Sequence, residues 1–321
     1  MEEIMKQKYI VGLGCSWTQG EGGYPQDVVD DHGGRTQIRC GQPGQPDSDY
    51  YLRVHELENS WVNQLCKYHF PDHKSLNLGI KGIGNRAAVK QLHFVDNVDW
   101  DNAEGILVFL LSGFERFDYF RERPNDHSGW QEPDGYSNGN YCHMKWRTAW
   151  PVENRDKSGD YHVWKTYARE LWSEQFVASE QMMALLDAQV WCKAHGFKLV
   201  LANAFNQHPT SIYAYLKEFT ETLVDKFDWS TYMHYAGDRL PRRGEDNTQY
   251  SAFMEQLVEL DGILPRSDWG AYHGTYNPRN LDTHSEYLTN DEGAHPTIKG
   301  YRVIADEVAT FIKQRGYIEE S

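Results

Sequence analysis

Two short, almost uninterrupted apolar runs constrain the fold most: Tyr9-Ile10-Val11-Gly12-Leu13-Gly14 and Gly105-Ile106-Leu107-Val108-Phe109-Leu110-Leu111. A strand with one wet face alternates apolar and polar residues. Runs without alternation suit strands buried on both faces, as in a parallel sheet. Ser75-Leu76-Asn77-Leu78-Gly79-Ile80 and Phe197-Lys198-Leu199-Val200-Leu201-Ala202 read as two more strands. The four are expected near 8–13, 75–80, 105–111 and 197–202.

Helical patterns fall between them. Ser60 is placed to cap a helix that buries Trp61, Leu65 and Tyr68, and residues 82–98 read as a glycine turn followed by a helical stretch. A long helix fills much of 165–195, with Trp172, Phe176, Ser179, Met183, Leu186 and Val190 at helical spacing. Tyr301, Ile304, Val308 and Phe311 mark an amphipathic last helix. Strands alternating with helices predict an α/β fold: a three-layer α/β/α sandwich around a parallel sheet of about five strands, one domain over 1–321. Three segments fit this scheme poorly. Residues 21–57 read as a long loop, 117–165 as an aromatic-rich insertion, and 205–290 as a second inserted region with helical patterns at 211–227 and 246–260.

Composition narrows the functional classes. With 321 residues and 40% hydrophobic content the chain can bury a substantial core. Its net charge of -15 repels phosphate backbones, so nucleic acid is not an expected partner. No apolar run approaches the roughly 18 residues that span a bilayer, and the start Met1-Glu2-Glu3-Ile4-Met5-Lys6 does not read as a secretory signal. The five cysteines are widely spaced without a C-x-x-C pair, which argues against a disulfide framework or a zinc site and for a reducing compartment. The histidines outside the C-terminal turn show no H-x-x-x-H or similar ligand spacing on a helix, so a catalytic metal is unsupported and no cofactor is expected.

The chemistry concentrates at the two ends. Gly14-Cys15-Ser16-Trp17-Thr18-Gln19-Gly20 follows the first strand directly. A serine there has its hydroxyl at the carboxyl edge of the sheet, where open α/β sheets bind ligands. Taken alone, it reads as well as a helix cap. At the other end, Asp291-Glu292-Gly293-Ala294-His295-Pro296-Thr297 puts carboxylates and a histidine in one turn before the last helix. Serine becomes a competent nucleophile when a histidine removes its proton and a carboxylate orients that histidine.

These segments resemble the SGNH/GDSL hydrolase superfamily. The Ser16 segment is similar to block I, with Cys15 where the name-giving Asp often stands. Asn77-Leu78-Gly79-Ile80-Lys81-Gly82 is similar to block II, with Gly82 as the match for the oxyanion-hole glycine. Glu292-Gly293-Ala294-His295-Pro296-Thr297 is similar to block V. The resemblance implies an SGNH/flavodoxin-like fold, Ser16 as nucleophile, His295 as base and Glu292 or Asp291 as the orienting acid. It implies an oxyanion hole drawn from Ser16, Gly82 and Asn85, the last standing in for an Asn missing from block III, where Leu110-Leu111-Ser112-Gly113-Phe114-Glu115-Arg116 carries Glu115. Trp17, Arg116, Trp130 and Trp146 are the expected substrate-binding side chains. The style Gly-Cys-Ser-aromatic-Thr also resembles SGNH-like proteins of bacteriophage genomes, which implies a virion or polysaccharide context.

The expected activity is therefore serine hydrolysis of an acyl ester, acetyl among the candidates, on a small molecule or a polysaccharide. The expected location is cytoplasmic or virion-associated, with a homo-oligomer or virion assembly as the protein partner. Two other classes compete: an SGNH-fold structural or binding protein of a virion without turnover, and an O-acyltransferase using the same residues. Gly82-Ile83-Gly84-Asn85-Arg86-Ala87 also fits a dinucleotide fingerprint, with Glu104 near the position of a ribose-binding acid. A Rossmann domain ordinarily opens with that motif, whereas here a complete strand and a long loop precede it. The rings of Trp130, Tyr136, Tyr141, Trp146, Trp150, Tyr161 and Trp164 either form a subdomain core or line a carbohydrate groove.

Overall fold

A computed structural model describes residues 6–23, 55–80, 83–95, 98–113, 116–120, 146–149, 166–167, 169–204, 227–233, 252–260, 286–288 and 295–318. Among the described residues six strands follow in chain order: β1 (Gln7–Gly14), β2 (Lys74–Asn77), β3 (Ala103–Leu111), β4 (Phe117–Phe120), β5 (Trp146–Ala149) and β6 (Phe197–Asn203). The helices are α1 (Ser16–Gln19), α2 (Trp61–His69), α3 (Asn85–Lys90), α4 (Glu174–His195), α5 (Phe253–Leu260) and α6 (Ile298–Gln314).

The protein is an α/β fold built on a four-stranded sheet of order β2-β1-β3-β6, in which every pairing is parallel. The apolar runs explain its centre. Ile10, Val11 and Leu13 of β1 are fully buried, and Ile106 to Leu111 of β3 are all at most 2% exposed. Each such side chain contributes about 1.5–3 kcal/mol relative to exposure, so these two strands take the middle of the sheet. Beyond β6, Tyr232 forms one parallel bridge to Leu201, with Met233 N donating to Leu201 O at 2.8 Å. The second strand is shorter than its apolar run. Its end is diverted when the Asn77 side chain accepts from Gly79 N at 2.9 Å, although Leu78 N and Ile80 N still donate to Gly12 O and Gly14 O.

Helices pack in two pairs, α2 against α6 and α3 against α4. Ser60 caps α2 by accepting from Asn63 N, and Trp61 and Leu65 are fully buried, as the pattern requires. Tyr68 corrects that pattern: it is half exposed and lies under the Arg302 guanidinium of α6, 3.8 Å from its ring centroid. Cation–π stacking needs one ring face turned outward, away from the core. The stripe expected along α4 is only partly the buried one: Trp172, just before the helix, and Leu186 pack partly buried against the core. Met183 and Val190 are 45% and 61% exposed, while Val177, Met182, Ala184, Leu185, Ala188, Trp191 and Cys192 are buried. Apolar residues surround this helix on nearly every side, and close packing selected the face with small alanines four residues apart. α6 presents Tyr301, Ile304 and Val308 inward as expected, with Ile312 at the end of the same face and Phe311 only partly covered.

Of the 117–165 insertion, β4 and β5 are described and pair antiparallel, Phe117 opposite Ala149 and Phe120 opposite Trp146. Of the 205–290 region, α5 is described and falls inside the pattern expected at 246–260; the pattern at 211–227 lies almost wholly outside the described residues. Asp118 on β4 ties the insertion to the sheet domain. Its two carboxylate oxygens accept from Gly84 N at 3.0 Å and Ala87 N at 2.9 Å, at the start of α3. That carboxylate occupies the helix N-terminus where a dinucleotide pyrophosphate would have to sit. Asp118→Ala is expected to lower stability by about 1–2 kcal/mol, through loss of a charged helix cap; urea denaturation measures it, and an unchanged midpoint would refute the anchoring role.

No described helix is long and apolar enough to cross a membrane. Cys15, Cys66 and Cys192 are buried free thiols, and burial pushes the Cys66 thiol up to about 12, so it is inert as a nucleophile. Cys40 and Cys142 lie outside the described residues.

Candidate active site

The strand order fixes where a site can form. From β1 the chain moves to β2 on one side and then to β3 on the other, so connections leave the carboxyl edge in opposite directions at β1 and β3. Such a reversal opens the crevice in which α/β sheets hold ligands. Ser16 follows β1 into that crevice.

Its turn is held from several directions. Cys15 O accepts from Thr18 N at 2.9 Å and Gln19 N at 3.0 Å, closing the single helical turn of α1. Thr18 Oγ1 hooks back to Leu13 O at 3.1 Å. From β2, Asn77 Nδ2 donates to Thr18 O at 2.7 Å. Gly79 then passes so closely that a Cβ there would lie 2.2 Å from Gln19 N. These clamps run through backbone atoms, so the serine hydroxyl is left for chemistry.

His295 arrives from the far end of the chain. Pro296 makes an antiparallel bridge with Leu288, and Thr297 N donates to Tyr287 O at 2.9 Å. Thr297 also caps α6, accepting from Gly300 N, while its hydroxyl donates to Glu286 O at 2.6 Å. A residue two positions before a helix cap, held on a short bridged segment, has little freedom. Its ring is delivered to the serine: His295 Nε2 lies 2.9 Å from Ser16 Oγ, and both residues are buried. This is within the range needed for proton transfer between a hydroxyl and an imidazole.

A third group meets the same nitrogen. Glu21 Oε2 lies 3.1 Å from His295 Nε2, and Glu21 is 6% exposed. Its backbone carbonyl accepts from the fully buried Tyr301 hydroxyl at 2.7 Å, which pins the segment after α1 to α6. Sequence reasoning assigned residues 21–57 to a loop and singled out no role for Glu21. No signal in the residues around it marks its contact with His295.

The other expected residues are distributed as follows. Asn85 does not serve as an oxyanion donor through its side chain: Nδ2 donates to Ser112 O at 3.1 Å and Gln181 Oε1 at 2.7 Å, which uses both hydrogens. Its Oδ1 accepts from Ser112 N and Ser112 Oγ, making Asn85 a buried bracket between α3, β3 and α4. Trp17 is not a ligand-binding surface either. It is fully buried in the hydrophobic core. Arg116 Nη1 donates to Ile83 O at 2.8 Å. Trp146 lies on β5, with only its strand pairing described. Gly82, Glu115, Trp130, Asp291 and Glu292 lie outside the described residues. Among the described residues no cluster of three or more His, Cys, Asp or Glu could hold a metal ion.

In comparison with known proteins, the chain matches no family model and no curated protein. The chemical reading therefore rests on the site itself.

Proposed function

We propose that the protein is a serine ester hydrolase of SGNH type, on a three-layer α/β/α scaffold. The observation that carries this reading is the 2.9 Å contact between Ser16 Oγ and His295 Nε2 at the carboxyl edge of the sheet. His295 takes the hydroxyl proton on Nε2 as Ser16 Oγ bonds to the ester carbonyl carbon, and the carbonyl electron pair becomes an oxyanion. The Nε2 proton then passes to the departing alkoxide as the ester C–O bond breaks. Water repeats the sequence on the acyl-serine and releases the acid. The Ser16 and Gly82 amides are the proposed oxyanion donors, and Asp291 or Glu292 remains the proposed partner of the other histidine nitrogen.

Asp118 supports a substrate-facing insertion, since it fastens β4 to the start of α3, beside the strand ends where the site lies. On this reading Trp130 and Trp146 contact a carbohydrate or small-molecule ester. The protein acts in the cytoplasm or as part of a virion.

A fluorophosphonate probe tests the proposal. One covalent adduct on Ser16 is expected, found by peptide mass spectrometry and absent from the His295→Gln protein. A full-length protein that stays unlabelled under conditions that label an ordinary serine hydrolase would exclude the nucleophile and leave the non-turnover reading.

A further inference from the structure

Glu21 and Ser16 share one nitrogen of His295, at 3.1 and 2.9 Å, and that nitrogen can hold only one hydrogen. An ionised carboxylate has no proton to offer. Set against a bare Nε2 lone pair it would be repelled; set beside a protonated ring it is attracted, through an ion-pair contact outside hydrogen-bond geometry. The arrangement is therefore favourable when Nε2 carries a hydrogen in line with Ser16 Oγ and the Glu21 carboxylate lies beside the charged ring.

We infer that Glu21 is a positioning residue that acts on His295 from the nucleophile side and sets the protonation state of the base, a role that rests on the hydrolase reading. In the resting site the proton sits on Nε2 and Ser16 Oγ accepts from it. His295 must lose that proton before it can take one from Ser16. Once bare, it is a stronger base than an isolated histidine, because the imidazolium formed during attack lies against the Glu21 carboxylate. Glu21 thus trades availability of the base at lower pH for strength at higher pH.

Among the described residues, the polar and charged groups near this contact are placed as follows. The Tyr301 hydroxyl of α6 donates to the Glu21 carbonyl, not to the carboxylate. Glu56 is buried and its backbone carbonyl lies against Gly20. Glu286 and Lys299 pair with each other at 2.6 Å while well exposed. Asp291 and Glu292, on the turn of His295 itself, are present in every protein compared below and so act as a constant background.

The test reads the histidine directly. The full-length protein is labelled with ¹⁵N-histidine, His295 is assigned by its loss in His295→Gln, and long-range ¹H–¹⁵N spectra follow the ring from pH 5 to 9. In the parent protein Nε2 is expected to carry hydrogen at pH 7. In Glu21→Gln the ring should lose its second proton about one pH unit or more lower, and Glu21→Asp, which keeps the charge, should stay nearer the parent. Hydrolysis of p-nitrophenyl acetate gives the second readout. The acid limb of kcat/KM should move to lower pH in Glu21→Gln while the alkaline plateau falls up to about tenfold, so that the two profiles cross. A ring that titrates at the same pH in all three proteins, or a bare Nε2 at neutral pH, overturns the inference even if the ester is hydrolysed. The expected ring titration without hydrolysis upholds the Glu21–His295 coupling and removes the hydrolase reading instead.

Discussion

Ser16→Ala is expected to lower kcat on an activated acetyl ester by about 10⁴-fold or more, the scale seen when the nucleophile of such a unit is deleted, with the melting temperature nearly unchanged. The two halves of this expectation have separate causes. Activity goes because, among the described residues, the hydroxyl on His295 Nε2 is that of Ser16. Stability stays because the turn is held by Cys15 O, Thr18 Oγ1 and the Asn77 amide, none of which contacts the Ser16 hydroxyl. The Glu21–His295 pair also survives the change. Steady-state hydrolysis and a thermal melt on the same preparation check both halves. Full turnover in Ser16→Ala would put the nucleophile elsewhere.

The second large effect is on folding. Gly14, the last residue of β1, has φ +149, and a Cβ there would lie 2.5 Å from Leu110 O and 2.3 Å from Thr18 Oγ1. Thr18 could rotate away only by giving up its bond to Leu13 O. Leu110 O cannot yield so easily, since Gly14 and Leu110 are register partners in the centre of the sheet. Gly14→Ala therefore combines backbone strain of about 1–3 kcal/mol with overpacking of about 1–3 kcal/mol, a loss of about 2–6 kcal/mol. Urea unfolding monitored by the buried tryptophans measures it. A loss below about 1 kcal/mol would mean that the strand end adapts. Ester turnover in the folded fraction should fall as well, because the strain lies two residues from Ser16.

How much of this could be read in the sequence depended on whether a signal was local. The four parallel strands were legible because unbroken apolar runs such as Ile106 to Leu111 admit few surroundings other than a doubly covered sheet. The Ser16 and His295 turns were legible because each is a compact run of glycine and chemically active residues. The face of α4 was not, since a helix apolar all round leaves the choice to its neighbours, as with Ala184 and Ala188. Trp17 and Asn85 were misassigned for a related reason: neither an aromatic next to Ser16 nor an amide just after Gly82 carries a mark of whether its side chain is open to a ligand or turned to the core. Glu21 was invisible because its significance lies in a contact with His295, and nothing in the residues around Glu21 encodes that meeting.

On the proposed hydrolase reading, the nucleophile Ser16 and the base His295 are 279 residues apart, and during synthesis that distance becomes time. At about 5–20 residues per second, Ser16 leaves the ribosome roughly a quarter of a minute to a minute before His295 is made. Over that interval β1, β2, β3 and α4 can meet, but the serine has no base. Reactivity begins only when the bridged segment around Pro296 docks and α6 settles on α2. An emerging chain is thereby kept chemically silent toward the acyl donors around it, and the first turnover reports that the whole sheet has closed.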